Sequence, residues 1–180
     1  MRIAAAIVAT IAAVVPLAHA QAQTPAPAAA PAPVPEVMPY DIPYGTPIDL
    51  DQAEKAIIAA AAEARKHNWK MSISVVDPAG SLVAHATMDG TQYGSVLISQ
   101  AKARTAALFR RPSGVFQTAV NTNGTPALLS LLALTGGAAS EGGFPIVVDG
   151  KLIGAIGASG GIYTQDAVVA KAGLEAIGVK

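Results

Sequence analysis

The chain has 180 residues, its 12 Lys and Arg are balanced by 12 Asp and Glu, and only 13% of its residues are charged. Without a basic excess it lacks the positive stripe of a phosphate-tracking protein, so nucleic acid is excluded as a partner; without cysteine it has no disulfide framework and no lipid anchor through Cys. A mean hydropathy of +0.43 points to apolar surface covered by self-association, a homo-oligomer.

Arg2 precedes an uncharged apolar run from Ile3 to Leu17, and Ala18-His19-Ala20 supplies the small residues that a signal peptidase reads. Residues 1–20 are therefore expected to be an export signal, giving a periplasmic or secreted protein. The run is shorter than the roughly 20 residues of a bilayer span and no basic stop-transfer cluster follows it, so no membrane attachment is expected after cleavage. Residues 21–47 carry Pro at 25, 27, 31, 33, 35, 39, 43 and 47. Repeated proline forbids a helix, so this stretch reads as an Ala/Pro-rich extended tether, a solvated arm for most of its length, whose larger residues, Tyr40 and Tyr44 among them, are able to lie along the domain surface. Residues 48–180 have the length of one domain.

Asp49 or Asp51 caps a helix to about His67, with Ala53, Ile57, Ala60 or Ala61 and Ala64 at helical spacing. Met71, Ile73 and Val75 then alternate with Ser72 and Ser74, the pattern of a half-buried strand. Asp77-Pro78-Ala79-Gly80 is a turn, and a second strand returns from Ser81 to Met88. A helix is expected from Gly94 to Phe109, with Leu97, Ala101, Leu108 and either Thr105 or Arg104 along one side, and Pro112 stops it. Ser113 caps a short helix to about Val120, and the apolar run from Pro126 to Leu134 forms a helical turn packed on the core. Asp149-Gly150 sits between two apolar runs, the signature of a two-residue hairpin. Glycines at 154, 157, 160 and 161 would weaken an ordinary strand, so each marks the close approach of a backbone, a partner subunit or a ligand. A closing helix runs from Thr164 to Ile177, capped by Thr164. The order predicts an α+β fold, an antiparallel sheet of about five strands flanked by helices.

Chemical motifs are sparse. Gly157-Ala158-Ser159-Gly160-Gly161 matches the G-x-S-x-G elbow of an α/β-hydrolase, yet no histidine follows Ser159 to take its proton. No G-x-G-x-x-G occurs, and Asp149-Gly150-Lys151-Leu152 lacks the hydroxyl residue of a P-loop. His67 lies in the last turn of a helix, where an imidazolium complements the dipole. His85 shares a strand face with Val83 and Thr87 and is the one metal-ligand candidate carried forward, against the reading of a partly buried or interface histidine. No catalytic residue is assigned: Asp77, Asp89 and Asp149 stand beside Gly or Pro in turns, where a side chain bonding its own backbone explains them.

Six ordered segments carry a resemblance: Val75-Val76-Asp77-Pro78-Ala79-Gly80-Ser81-Leu82-Val83-Ala84; Met88-Asp89-Gly90; Ala101-Lys102-Ala103-Arg104-Thr105-Ala106; Phe109-Arg110-Arg111-Pro112-Ser113; Gly142-Gly143-Phe144-Pro145-Ile146; and the run from Gly154 to Gly161 with Gln165-Asp166. Together they resemble the GlcG/HbpS family of haem-binding proteins over about residues 48–180. The resemblance implies a profilin-like α-β-α sandwich that assembles into dimers to octamers. It implies a haem or related tetrapyrrole ligand, with storage, sensing or accessory degradation of haem as roles; an enzyme or accessory protein of glycolate-type hydroxy-acid metabolism, with its site at a subunit interface, is the alternative. By the same resemblance Ser113 stands where a Pro-Thr element lies near haem, Arg104, Arg110 and Arg111 are candidates to pair with propionates, and Gly160 and Gly161 leave room for a flat macrocycle. The arginines have a second reading, as helix caps that meet a neighbouring subunit.

Overall fold

The hairpins foreseen at Asp77–Gly80 and at Asp149-Gly150 build a four-stranded antiparallel sheet, ordered β2-β1-β4-β3, in a computed structural model that describes residues 33–124 and 126–178. Its strands are β1 (Ser72–Val76), β2 (Leu82–Thr87), β3 (Gly143–Val148) and β4 (Lys151–Ser159). Helices α1 (Leu50–Lys66) and α5 (Tyr163–Ala176) pack on one face and α2 (Gly94–Phe109) on the other, while α3 (Gly114–Asn123) and α4 (Pro126–Leu134) follow α2. This is the expected α-β-α sandwich with four strands in place of about five. The chain divides into two units, Met1–Glu36 and Val37–Lys180, and every element named here lies in the second. The expected signal segment, residues 1–20, and the first part of the tether lie outside the described residues.

Local chemistry explains the elements. The Asp49 carboxylate accepts from Gln52 N at 2.8 Å, and this capping box starts α1. Asp149 and Gly150 have φ of 49° and 73°, the left-handed pair that joins strands in a two-residue turn. On one face of β1, Met71, Ile73 and Val75 meet Ile146, Ile156 and the alanines of α1 in the main core. The Ser72 and Ser74 face, expected to be half exposed, is buried as well, because α2 covers it.

Helix α2 lies the other way round from its hydrophobic pattern. Its sheet side is Ser95, Ser99, Lys102, Ala103 and Ala106, all buried, whereas Tyr93 and Leu97 are 95% and 71% exposed. Small residues are needed because the helix lies on bare backbone: a Cβ on Gly157 would overlap the Ser99 carbonyl and stand 2.6 Å from Ala103 N, and one on Gly143 would overlap the Lys102 carbonyl. Helix α4 also departs from expectation, since only Leu132 is buried while Leu129, Leu131 and Leu134 are exposed.

The end of the expected tether belongs to the sandwich. Strand β1 pairs with only residues 155–159 of β4. Residues 43–48 take the open slot ahead of it: Leu152 N donates to Pro43 O, Gly45 N to Leu152 O and Ile48 N to Ile153 O, each at 2.8 Å. These bonds satisfy edge groups that burial would otherwise leave without partners.

Candidate functional site

The glycine ribbon is filled by its own chain. Beyond Gly157, a Cβ on Gly154 would overlap Val76 O, one on Gly160 would overlap Lys70 O, and one on Gly161 would overlap the Gln165 side chain. Residues 152–159 of β4 are buried on both faces. Of the three neighbours that the glycines left open, a backbone is the one found at Gly154, Gly157 and Gly160, whereas Gly161 meets the Gln165 side chain and, with Gly160, borders an open pocket beyond the end of β4. The Ser159 hydroxyl is buried and donates to Ser95 Oγ at 3.3 Å, which ends the nucleophile reading.

Ser113 is fully buried. Its Oγ donates to Ser140 O at 2.5 Å and accepts from Gly143 N at 2.9 Å, and its own N–H donates to Gly143 O at 2.9 Å. It makes no side-chain cap to α3, and its oxygen is closed to iron. The loop from 138 to 143 is thereby pinned to the start of α3, a role invisible in a Pro-Ser dipeptide.

His85 is equally engaged. Its Nδ1 is 2.8 Å from Ser74 Oγ and its Nε2 is 2.8 Å from Thr87 Oγ1. Ser74 continues to Ser99 Oγ at 2.8 Å, and Thr87 to Ser72 Oγ at 3.1 Å. With both ring nitrogens in this hydroxyl network the imidazole has no free lone pair for iron, and among the described residues no three His, Cys, Asp or Glu gather as a metal site. Burial holds the His85 pKa below its ordinary value. The unfolded chain therefore binds this proton more readily, so the stabilising contribution is present above the ordinary histidine pKa and is lost as pH falls through the lower folded value. Thermal midpoints measured from about pH 8 to about pH 5 should fall less in His85→Asn than in the parent chain.

The three arginines separate. Arg104 Nε donates to Gly80 O at 3.3 Å, tying α2 to the first turn. Arg110, at φ 54° beyond the end of α2, donates through Nη1 to Ile42 O at 2.9 Å and to Asp41 Oδ1 at 3.2 Å, and lies 5.6 Å from the Tyr44 ring centre. Arg111 lies 4.3 Å from the Tyr40 ring centre and 5.5 Å from that of Phe116. Arg110 and Arg111 thus meet the end of the tether, and Arg104 stands apart.

A buried ion pair was not foreseen. Lys102, 1% exposed, places Nζ 2.6 Å from Asp166 Oδ2, and Gly161 N donates to Asp166 Oδ1 at 3.1 Å. The pair crosses from α2 to α5 past the sheet end, where a Cβ on Gly142 would come within 2.8 Å of Asp166 Cβ and 3.1 Å of Lys102 Nζ. Burial pushes the Asp166 carboxyl above the usual carboxylate range, against the pull of Lys102 and of the Gly161 and Gly160 amides. The available signal was the phase of Lys102, in helical register with Ser95, Ser99 and Ala106.

An open pocket of about 550 Å³ is lined by Pro112, Gly114, Val115, Gln117, Thr118, Glu141, Phe144 and Tyr163. Pinning of the loop by Ser113 sets one wall, and the Gly161–Asp166 contact sets the start of α5, from which Tyr163 rises. Pro112, Val115 and Phe144 give its lining apolar surface, and Tyr163, Thr118, Gln117 and Glu141 add oxygen atoms, of which Gln117 Oε1 already accepts from Glu141 N at 2.7 Å. That mixture, and a volume within the range of small-molecule sites, suits a largely apolar ligand held by a few polar contacts. For a haem, the phenol of Tyr163 is an oxygen donor of a type that holds ferric iron, so the residues present fit the group although His85 and Ser113 do not serve it.

A family model described as haem degrading protein HbpS-like matches residues 48–175. Protein GlcG of Escherichia coli strain K12 is 49% identical over 109 residues, which are 60% of this chain and 78% of that protein. A double mutant of Streptomyces reticuli HbpS superposes with a TM-score of 0.68 at 27% identity, covering 83% of this chain and 99% of that one. The PduOC:Heme complex superposes with a TM-score of 0.69 over 75% of this chain and 98% of its own, at 24% identity, a likeness of fold alone.

Proposed function

This chain belongs to the HbpS-like family of haem degrading proteins, and on that premise we propose that it is an exported, self-associating protein that binds haem or a related tetrapyrrole in the pocket beside α3. The observation that carries the reading is the pocket itself, lined by apolar Pro112, Val115 and Phe144 together with oxygen-bearing side chains that include Tyr163. Pro112, Val115 and Phe144 would pack on the macrocycle, and Tyr163 would offer oxygen to the metal; the bound group would supply redox chemistry that the side chains lack. Storage, sensing and accessory degradation of haem are all compatible with such a site. Export is supported by the grammar of residues 1–20. Self-association is supported by the apolar side chains that α2 and α4 leave uncovered, Leu97 and Leu134 among them.

Hemin titration followed in the Soret region tests the reading. Saturable binding with a shifted band is expected, Val115→Asp should weaken it by at least about tenfold, the equivalent of about 1.4 kcal/mol, and Tyr163→Phe should change the spectrum. A spectrum identical to free hemin, with no saturation, would remove the proposal. The 49% identity to protein GlcG is compatible with the alternative, a hydroxy-acid enzyme or accessory protein; turnover of a hydroxy-acid panel without any hemin response would favour it.

A further inference from the structure

Residues 40–44 are unusual for the end of a tether: they bring a carboxylate and two aromatic rings to adjacent arginines, through an exposed ion pair and cation–π contacts beside one guanidinium–carbonyl bond, Arg110 Nη1 to Ile42 O at 2.9 Å. We propose that Arg110 and Arg111 form a ligand-anchoring site for a planar aromatic carboxylate, and that the chain's own residues 40–44 occupy this site as an exchangeable stand-in until such a ligand arrives. The inference rests on the tetrapyrrole reading above and adds to it the anchoring groups and their internal competitor.

The resident segment copies the chemistry of that ligand class. Asp41 presents its carboxylate to Arg110 at 3.2 Å, and the Tyr44 ring lies 5.6 Å from the same guanidinium. Arg111 has the Tyr40 ring at 4.3 Å and the Phe116 ring at 5.5 Å, so one of its aromatic neighbours belongs to the domain and the other to the segment. A flat anionic ring system that replaced Tyr40 and Asp41 would meet the same two cations, one by a charge-assisted hydrogen bond and one by stacking.

The side-chain contacts are the readily exchanged part of this arrangement. The Asp41 side chain is 71% exposed, and an ion pair in that setting contributes little because water and salt screen it. Exposed cation–π contacts are similarly modest. Residues 45–48 are held differently, by the backbone bonds from Gly45 and Ile48 to β4 and by the burial of Ile48. The segment is therefore anchored at its C-terminal end, and lifting residues 40–44 breaks the Arg110 Nη1–Ile42 O and Leu152 N–Pro43 O bonds without unpairing residues 45–48. One bond reports the event: Leu152 N donates to Pro43 O, and lifting the segment frees that amide.

Hemin is the probe. When a site is open for only a fraction of the time its apparent affinity falls by that fraction, so a segment seated nine-tenths of the time weakens hemin by about tenfold. The variant Tyr40→Ala/Asp41→Ala/Tyr44→Ala is expected to bind hemin up to about tenfold more tightly than the parent chain. Asp41→Ala alone, which removes no backbone hydrogen bond, should move affinity in the same direction, and Arg110→Ala/Arg111→Ala should weaken binding and cancel the gain. In the parent chain, hemin should speed hydrogen exchange at the Leu152 amide. Equal or weaker hemin binding by the Tyr40/Asp41/Tyr44 variant, or unchanged Leu152 exchange at saturation, would overturn the competition while leaving haem binding intact. Absence of hemin binding by every chain would overturn the tetrapyrrole reading and this inference with it.

Discussion

Replacing Asp166 with Ala is expected to lower the unfolding free energy by about 3–5 kcal/mol, the usual cost of leaving one member of a buried ion pair alone. Lys102 is 1% exposed and its Nζ has Asp166 Oδ2 at 2.6 Å; truncation of the carboxylate strands an ammonium between α2 and α5. Gly161 N loses its acceptor in the same step. The double replacement Lys102→Met/Asp166→Leu removes both charges and should recover most of the loss, because apolar groups of similar size often match a buried pair in stability. Urea midpoints for the parent, single and double variants measure this directly. A single variant as stable as the parent would mean that Lys102 finds water or another partner, and that the pair does not tie the two helices together.

The second large effect is expected at Gly157. Gly157→Ala should cost at least about 3 kcal/mol, at or beyond the upper end of overpacking penalties, because the new methyl would meet main chain and not a side chain able to rotate away. Its position would overlap the Ser99 carbonyl and come 2.6 Å from Ala103 N, so α2 would have to rise off the sheet. Gly94→Ala is the control: nothing lies within 4 Å of a Cβ there, and alanine in the first turn of α2 should leave stability unchanged or raise it. Comparable losses at the two positions would show that the helix does not rest on bare strand backbone. The same contact explains one glycine of the ribbon: the room that Gly157 makes is used to seat α2.

How far the residues foretold this molecule depended on whether the deciding interaction was local. The Asp149-Gly150 turn, the Asp49 cap and the span of α2 followed from backbone preferences within a few positions, and the structure carries them as expected. The family was legible too, since six spaced segments must all match at once, and the model spanning residues 48–175 agrees. The inward face of α2 was not legible, because hydrophobic spacing selects Leu97 and Leu108 while a sheet with glycine at 143 and 157 selects Ser, Ala and the stem of Lys102. The bonds that engage Ser113 and His85 were hidden for a related reason: their partners, Ser140, Gly143 and Ser74, lie 27, 30 and 11 positions away, and no local pattern reveals that those bonds are already made. Thr164 likewise does not cap α5, which begins one residue earlier with Ile162 N bonded to Gln165 Oε1 at 3.0 Å. The pocket escaped notice because its wall residues come from α3, the 141–144 stretch and the start of α5, which only the fold brings together.

Everything functional turns on the pocket between α3, β3 and α5 being the place where a tetrapyrrole sits. Hydrogen exchange on the purified chain, with and without saturating hemin, tests that most directly. Protection is expected at residues 112–118 and around Phe144 and Tyr163, with the buried amides of β4 unchanged apart from Leu152; hemin bound with its protection confined to other surfaces, or no hemin bound at all, would contradict it.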